Sequence, residues 1–524
     1  MRVHSPTPPA GLSRRSLLQL AGALAGAVTL SACGSGSGGT GSGSGAQTLN
    51  FGLSGEPATL RPGADQGAAS LFVVSLLHRG LVAYDTDGEV VPALASEWDS
   101  ADDQTFTFTL RPGLTFQDGT PLTSADVART LEFLADPANS ARIGSAVQSL
   151  DAVETPDETT VVVRHSEPNA AFLDYLADPS AGVLPESAFA ADAVNTVGAG
   201  PFRMAGDSSG VGMSLERFDG YYDADAVQLD GVEISYYPDG NARTNALLSG
   251  EVDIIDYVPW ESFDQVESDP DLTLDAQSGL VMYLAFNVDE APFGDARVRR
   301  AVAHAINRDN AVASVFSGNA RPVAGPPVAA ESPFHEASLA DAWAYDPDRA
   351  RELLAEAGFP DGFAATLLTT SQYAFHQDLA VSVQADLAAV GVDVTLDNPD
   401  YATRIQQGNA GAYQMAVNGN GGIVNDPAFL SDFLVGPANY KRSFGFTDPE
   451  IEASLAEGLR TTDETARQEV YRRLQQQIVD ATPFAMVSDR AQAFAYSSRV
   501  QGFANLPGFL TFHSGYTATA TTVA

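Results

Sequence analysis

The sequence predicts an α/β protein, and three stretches carry that prediction. Thr105–Leu110 alternates polar and apolar residues, as a half-buried strand does. Residues 346–347, Asp-Pro, offer an N-cap followed by proline at the first helical position, and Gly358 is placed to end that helix. Residues 377–390 have the spacing of an amphipathic helix and lead, through one glycine, into an alternating strand pattern. Helix followed by strand is half of an α/β unit.

The N-terminus has the pattern of an export signal. Two arginines, Arg14 and Arg15, precede an apolar run that ends at Leu30, so residues 1–32 are expected to be a secretory signal. The arginine pair resembles a twin-arginine signal, with an ordinary secretory signal as the alternative. Leu-Ser-Ala-Cys resembles a bacterial lipobox, which implies a lipid on Cys33. Residues 33–46 then form a flexible Gly/Ser tether. This predicts a lipoprotein on the outer face of the cytoplasmic membrane, on its periplasmic or extracellular side.

The composition excludes several classes of function. The chain has 28 Lys and Arg against 67 Asp and Glu, a net charge of −39, so nucleic acid and anionic lipid surfaces are poor partners. The single cysteine is Cys33, which leaves the body without a disulfide or a catalytic thiolate. The seven histidines are scattered without a second ligand at metal spacing. We therefore expect no metal and no cofactor.

One short motif raises the possibility of an enzyme. Residues 206–210, Gly-Asp-Ser-Ser-Gly, match the nucleophile elbow of serine hydrolases, which needs a strand, a sharp turn and then a helix. The residues that follow alternate apolar and polar with period two, which indicates a second strand and a hairpin. From Gly206 to Gly210 the sequence therefore favours a plain turn, and we expect no enzymatic activity.

A longer motif resembles a known family. Residues 91–98, Val-Pro-Ala-Leu-Ala-Ser-Glu-Trp, are followed by residues 105–127, which contain Leu-Arg-Pro-Gly-Leu-Thr-Phe-Gln-Asp-Gly-Thr-Pro-Leu. Together they resemble the signature of family 5 extracellular solute-binding proteins, the peptide and nickel receptors of ABC importers. Within the motif, Thr123 and Asp126 have the spacing of a capping box. Residues 198–202 and 248–254 resemble further family segments in the expected order.

The resemblance implies a two-lobed periplasmic-binding-protein-like fold of type II, in its large peptide-binding subclass. It implies a first lobe over residues 47–278, with an extra strand-rich subdomain at about 75–195, and a second lobe over 279–490. Residues 491–524 would return to the first lobe, and crossings are expected near 279–287 and 484–494. A peptide-like or other polar solute would be held between the lobes and delivered to an ABC permease and ATPase. We expect a monomer that touches the membrane only through Cys33.

The family's dipeptide receptors hold their ligand between an arginine and an aspartate. The resemblance places that arginine at residues 370–373 and that aspartate at 421–422, and neither stretch is charged here. A dipeptide is therefore disfavoured. An oligosaccharide, or a sensory or chaperone-like role without a transporter, stays an alternative. Asp426 could replace the aspartate or simply begin a helix. The candidate ligand-binding residues are Asn418, Gly419, Asn420, Gly421, Gly422, Gln372, Tyr373, Phe375, Ser54, Glu56 and Trp260.

Overall fold

The computed structural model describes residues 47–63, 67–139, 141–189, 196–206, 210–436 and 439–524, and an eleven-stranded mixed sheet is its main feature. The strands are β1 (Thr48–Leu53), β2 (Val82–Tyr84), β3 (Val90–Pro92), β4 (Ala95–Ser100), β5 (Thr105–Leu110), β6 (Leu150–Asp157), β7 (Thr160–His165), β8 (Phe202–Met204), β9 (Gly212–Arg217), β10 (Gly231–Tyr236), β11 (Ile254–Ile255), β12 (Leu272–Phe286), β13 (Ala320–Pro322), β14 (Phe363–Leu368), β15 (Val392–Asp397), β16 (Met415–Asn420), β17 (Phe484–Ser497), β18 (Val500–Gln501) and β19 (Thr522–Val523).

Helices cover the sheet and fill the connections between its strands. The α-helices are α1 (Ala68–Leu77), α2 (Ser124–Ala135), α3 (Gly144–Val147), α4 (Phe172–Ala177), α5 (Gly240–Leu248), α6 (Phe263–Glu267), α7 (Ala296–Ala305), α8 (Arg308–Val315), α9 (Pro347–Glu356), α10 (Ala374–Ala388), α11 (Tyr401–Asn409), α12 (Ser431–Leu434), α13 (Pro449–Arg460) and α14 (Glu464–Ala481). Turns of 3-10 helix lie at Pro137–Asn139, Pro179–Ala181, Glu186–Phe189, Ala224–Ala226, Trp260–Ser262, Ala337–Leu339, Pro427–Leu430 and Gly508–Thr519.

The long sheet has two halves. Its strand order is β15-β14-β16-β12-β17-β11-β1-β10-β9-β8, with β13 beside β17. At one end β1 runs parallel to β10 and β11, and at the other β14 runs parallel to β15 and β16. We call the part of the molecule built on β1 and β8 to β11 the first lobe, and the part built on β14 to β16 the second lobe.

Strands β12 and β17 join the two lobes. They pair antiparallel from Leu272 opposite Ser497 to Ala285 opposite Phe484. In the first lobe β17 also pairs with β11, and in the second lobe β12 also pairs with β16. The crossings expected near 279–287 and 484–494 fall on these two strands. The exact lobe boundaries stay predictions.

An antiparallel sheet of four strands, β4-β5-β7-β6, lies in the region expected to hold the extra subdomain. Its strand β5 buries Phe106, Phe108 and Leu110 on one face, as its alternation predicts. Helix α2 begins beside it with the expected capping box, in which the Thr123 amide donates to the Asp126 carboxylate over 2.9 Å. This subdomain also contacts the second lobe, because the amide of Ala170 donates to the carbonyl of Leu459 over 2.9 Å.

The ends of helix α9 agree with the sequence-based prediction, and the start of helix α10 differs from it. Helix α9 begins after Asp346, whose carboxylate accepts the Arg349 amide over 2.9 Å, and Gly358 follows its end with φ +95°. Helix α10 begins at Ala374 rather than at residue 377. Its first turn contains Phe375, which packs against a residue of the first lobe, a contact that helical periodicity cannot show.

The motif at residues 206–210 lies between strands. Residues 207–209 are outside the described residues, but β8 before them and β9 after them pair antiparallel, with Phe202 opposite Arg217. The element that follows the motif is therefore a strand, where a nucleophile elbow needs a helix. In the described part of the chain no helix is both long and apolar enough to span a membrane.

Separate hydrophobic cores stabilise the lobes. In the first lobe the rings of Phe51 and Phe72 lie 4.5 Å apart and those of Phe51 and Phe494 lie 6.4 Å apart. A larger core runs through the second lobe and the extra subdomain and includes the fully buried Trp343.

Candidate functional site

The candidate site lies where the carboxyl ends of parallel strands from both lobes meet. Residue Tyr257 follows β11 in the first lobe, and Tyr373 follows β14 in the second. Near them the rings of Trp260 and Phe375, one from each lobe, lie 5.5 Å apart, edge to face. Ligands of α/β proteins bind beyond the carboxyl ends of parallel strands, so this meeting point is the place to look for a solute.

An arginine of the crossing strand β17 stands in the middle of this region. The Arg490 guanidinium lies 5.9 Å from the ring centre of Tyr257, 5.7 Å from that of Trp260 and 5.3 Å from that of Phe375. Only 6% of Arg490 is exposed to solvent. The rings come from both lobes and the arginine from the strand that joins them. We call this group of Arg490, Tyr257, Trp260 and Phe375 the arginine pocket.

The Arg490 side chain has few partners. Its Nη1 donates to the Gln492 Oε1 over 3.1 Å, and its Nε has no hydrogen-bond partner. Among the described residues no carboxylate pairs with it. The neighbouring Asp489 pairs instead with Arg321 at 2.7 Å. Successive side chains of a strand point to opposite faces, so Asp489 lies on the other side of β17 from the arginine pocket.

The first-lobe wall is held by a buried carboxylate. Asp256 accepts hydrogen bonds from the amide and the hydroxyl of Ser54, each over 2.7 Å, and lies 3.8 Å from Arg243. Burial raises the pKa of Asp256, and Arg243 and Ser54 oppose that rise. Tyr257, the next residue, has φ +47°, a strained conformation that surrounding contacts must maintain. Its ring stacks on Phe512 at 5.9 Å.

The second-lobe wall combines aromatic rings with a buried cation. Tyr373, which is 38% exposed, meets Tyr401 edge to face at 5.4 Å. Arg404 is buried, donates over 2.7 Å to the carbonyl of Val417, and leaves its Nε without a partner. Burial, together with the charges of Arg404 and Arg490, lowers the pKa of His376 to about 3. This histidine is therefore neutral at physiological pH.

The glycine-rich segment after β16 approaches the protein's own side chains. A Cβ on Gly419 would lie 2.6 Å from the Met282 sulfur, and one on Gly422 would lie 2.6 Å from a ring carbon of Phe509. Gly421 is crowded in the same way, by Leu280 at 2.7 Å. These glycines let the backbone of the second lobe pack closely against β12 and the C-terminal segment, which a larger residue would prevent.

The remaining predicted site residues lie at several places. Asn418 is buried, and its amide group accepts from Arg404 and donates to the Tyr440 carbonyl over 2.9 Å. Asn420, half-buried, ends β16. Gln372 is exposed in the turn before α10, and Glu56 is exposed after β1. Trp260 packs edge to face against Phe316 and Phe375, and its indole donates to the Ala491 carbonyl over 2.8 Å.

Asp426 has the second of the two roles considered for it. It caps the 3-10 turn at Pro427–Leu430, accepting the Ala428 amide over 2.8 Å. It also forms a two-pronged ion pair with Arg467, over 2.6 and 2.8 Å. Both carboxylate oxygens are thus used inside the second lobe.

A cavity of about 730 Å³ lies on the opposite face of the crossing strands. Asp489, Arg321 and Glu331 line it together with a proline-rich loop over residues 322–333. Arg321 pairs with both acids, at 2.7 and 2.8 Å, so each of these carboxylates already has a partner within the protein, and the three groups together carry one net negative charge. The cavity and the arginine pocket are therefore different in charge as well as in place.

Sequence reasoning missed the residues at the centre of the site, Tyr257, Arg404 and Arg490. A signal for Arg490 was present, since Ser-Asp-Arg interrupts the otherwise apolar segment of residues 484–494. A charged pair inside a buried strand is costly unless it has partners, and so it marks a place to inspect. No comparable signal distinguished Tyr257. Among the described residues no cluster of three or more metal-ligating side chains occurs.

Comparison with known proteins agrees with this architecture. The model of the bacterial extracellular solute-binding proteins, family 5, matches residues 89–442. The chain belongs to that family. Glutathione-binding protein GsiB of Pectobacterium atrosepticum is 29% identical over 472 residues, which cover 86% of this chain and 90% of that protein.

Solved structures of family 5 proteins share the fold. AgaA from A. tumefaciens R10, in complex with agropinic acid, superposes with a TM-score of 0.84 and 37% identity over 91% of this chain and 99% of that one. OppA of Haemophilus influenzae, in complex with the peptide RPPGFSPFR, superposes with a TM-score of 0.77 and 20% identity, again over 91% and 99%. The protein thus has the two-lobed fold of periplasmic binding proteins.

Proposed function

We propose that this protein captures a small polar solute between its two lobes and delivers it, chemically unchanged, to the permease and ATPase of an ABC importer. The arginine pocket carries the proposal, because its members come from the first lobe, the second lobe and the crossing strand. A solute placed there would contact both lobes at once. Such contacts favour the closed form of a hinged protein, the form that a permease can distinguish from the empty one.

The chemistry of the walls favours some solutes over others. Tyr257, Trp260, Phe375 and Tyr373 provide flat apolar faces, which suit the rings or carbon chain of a small organic molecule. No charged residue occupies residues 370–373 or 421–422, and Asp426 is already paired with Arg467. A simple dipeptide, with charges at both ends, is therefore a poor candidate. AgaA, at 37% identity, holds agropinic acid, and GsiB is named for glutathione.

Thermal melting tests this proposal directly. The protein is melted alone and with agropinic acid, glutathione, alanyl-alanine or maltotriose, a neutral oligosaccharide. A true solute at one hundred times its Kd stabilises the folded form by about 2.7 kcal/mol, and alanyl-alanine should leave the melting temperature unchanged. Native mass spectrometry of the purified protein identifies any compound already bound.

A pair of tyrosine variants locates the binding. Tyr373 and Tyr345 are both partly exposed, at 38% and 47%, but only Tyr373 faces the arginine pocket through its contacts with Phe375 and Tyr401. Tyr373→Ala should weaken solute binding, whereas Tyr345→Ala should not. Equal effects of the two substitutions, or saturable binding of alanyl-alanine, would place the solute elsewhere.

We also propose the lipid anchor, which concerns residues outside those the structure describes. The support is the sequence alone: an export signal over residues 1–32, the lipobox cysteine Cys33 and the tether over residues 33–46. Cys33→Ser should move the protein from the membrane fraction to the soluble extracytoplasmic fraction. Its retention with the membrane would contradict a lipid at this position.

Measurements of solute uptake by cells distinguish an import function from a sensory one. Cells that lack this protein should lose uptake of the solute identified by mass spectrometry, and the wild-type gene should restore it. Normal uptake in its absence would favour the alternative, a sensory or chaperone-like binding protein with the same fold and no transporter.

A further inference from the structure

The charges of the arginine pocket carry more information about the solute. The chain has a net charge of −39, yet two buried arginines at the site, Arg490 and Arg404, have no carboxylate partner among the described residues. A buried charge without a partner costs free energy, so proteins normally pair it or surround it with carbonyl groups. An acid-rich chain has many carboxylates with which to do this, and here it does not.

Other buried arginines of the molecule show how the chain saturates a guanidinium. Arg308 donates to five backbone carbonyls, those of Val323, Met486, Ile306, Trp343 and Ala303. Arg467 pairs with Asp426 and also donates to the Gly458 carbonyl and the Tyr471 hydroxyl. Arg490 has one acceptor, the side-chain oxygen of Gln492. Among the described buried arginines it is the one whose donors are left most free.

Aromatic rings stabilise the charge of a guanidinium but leave its N–H donors without acceptors. A ring face attracts the cation, but it accepts none of the in-plane N–H bonds. A carboxylate approaching in the plane of the guanidinium would use two of those bonds at once, in the geometry for which arginine is suited. Tyr257, Trp260 and Phe375 would then exclude water from the pair, which strengthens it.

A second observation at the same place agrees with this reading of Arg490. His376, buried beside Gly419, feels the charges of both Arg404 and Arg490, which together with burial keep it neutral, and no acid opposes them. Its Nδ1 has no hydrogen-bond partner. Arg404 and Arg490 are thus the charged side chains that act on His376 here, in a chain whose net charge is −39.

We infer that the solute is an organic acid and that Arg490 pairs with its carboxylate when the lobes are closed. This inference rests on the proposed function and adds the charge of the cargo to it. It makes the site selective for an anion, although the stretches at residues 370–373 and 421–422 carry no charge. In this role Arg490 determines specificity.

Matched acids and amides test the inference without any variant. Binding of agropinic acid, glutathione, N-acetylglutamate and the diamide of N-acetylglutamate is measured by isothermal titration, together with native mass spectrometry of protein exposed to a low-molecular-weight extract of the host cells. We expect every compound bound to carry a carboxylate, and we expect the diamide of N-acetylglutamate, which has none, to be rejected. A bound compound that has no carboxylate would overturn the inference while leaving the proposed function standing. If neither method detects any bound compound, the proposed function itself fails.

Charge variants then assign the effect to one side chain. Arg490→Gln should weaken binding of the acid identified by about 30- to 100-fold, in the range for losing a charge-assisted bond. Arg490→Lys, which keeps the charge but loses the planar fork, should fall between it and the wild type. Arg321→Gln removes the same charge from the neighbouring strand β13, on the face away from the pocket, and should bind normally. Equal binding by Arg490→Gln and the wild type would refute the pairing.

Discussion

The pair between Asp426 and Arg467 yields the sharpest prediction about stability. Both side chains are buried, at 11% and 8% exposure, and two short hydrogen bonds join them. Asp426→Asn keeps a side chain that can cap the turn at Pro427–Leu430, so the cap contributes little to the change. The substitution removes the charge, however, and leaves Arg467 buried without its counter-ion.

Breaking a buried pair from one side costs about 3–5 kcal/mol. Arg467 would keep its bond to the Gly458 carbonyl and its contacts with the rings of Phe334 and Tyr471. We therefore expect the low end, a loss of about 3 kcal/mol in the free energy of unfolding. In the double variant Asp426→Asn with Arg467→Met no unpaired charge remains, so the loss should be smaller than the sum of the single changes.

Urea unfolding, followed by circular dichroism, measures these changes, and solute titration of the same variants measures binding. We expect Asp426→Asn to lower the urea midpoint and to leave the affinity of the folded protein for its solute unchanged. A variant of wild-type stability that had lost solute binding would refute this reasoning. That result would mean that Asp426 breaks its pair with Arg467 and binds a charged group of the ligand. This is the other role that the sequence analysis considers for Asp426.

Three further predictions concern protons and close packing. Burial, with the nearby charge of Asp426, raises the pKa of Asp174 to about 7. The folded state then binds more protons than the unfolded state from about pH 4 to pH 7, so unfolding free energy should fall with rising pH across that window, and Asp174→Asn should flatten the fall in urea titrations. Gly422→Val would push a side chain into Phe509 and should cost about 1–3 kcal/mol, measured by melting. Asn425→Ala removes two hydrogen bonds to residues 507 and 509, which should speed hydrogen exchange in the C-terminal 3-10 segment.

Local rules explain the parts of the fold that could be predicted. The strand at Thr105–Leu110, the capping box of Thr123 and Asp126 and the start of α9 after Asp346 each depend on residues a few positions apart. Side-chain alternation marks the strand, and hydrogen bonds within the first turn mark the two helix starts. Reading the sequence was sufficient for these elements.

Other features depended on residues far apart in the chain. Helix α10 begins earlier than its periodicity indicates, and its first turn includes Phe375, which contacts Trp260 of the other lobe. The glycines after β16 were considered as a surface for a ligand, and the structure shows them packed against Met282, Leu280 and Phe509. Neither contact leaves a mark in the local pattern.

The sequence by itself determined the class of this protein, an α/β chain that carries the long signature of its family. The export signal over residues 1–32 and the lipid on Cys33 stay predictions from the same sequence. These features depend on composition and on residues close together in the sequence, so they do not require the folded structure. Only the tertiary structure decided which side chains meet between the lobes. Arg490 enters the site because β17 crosses from lobe to lobe and turns that side chain away from Asp489, toward rings from both lobes. Which face of a strand a residue occupies is set by pairing with distant strands, and on that depends the charge offered to the solute.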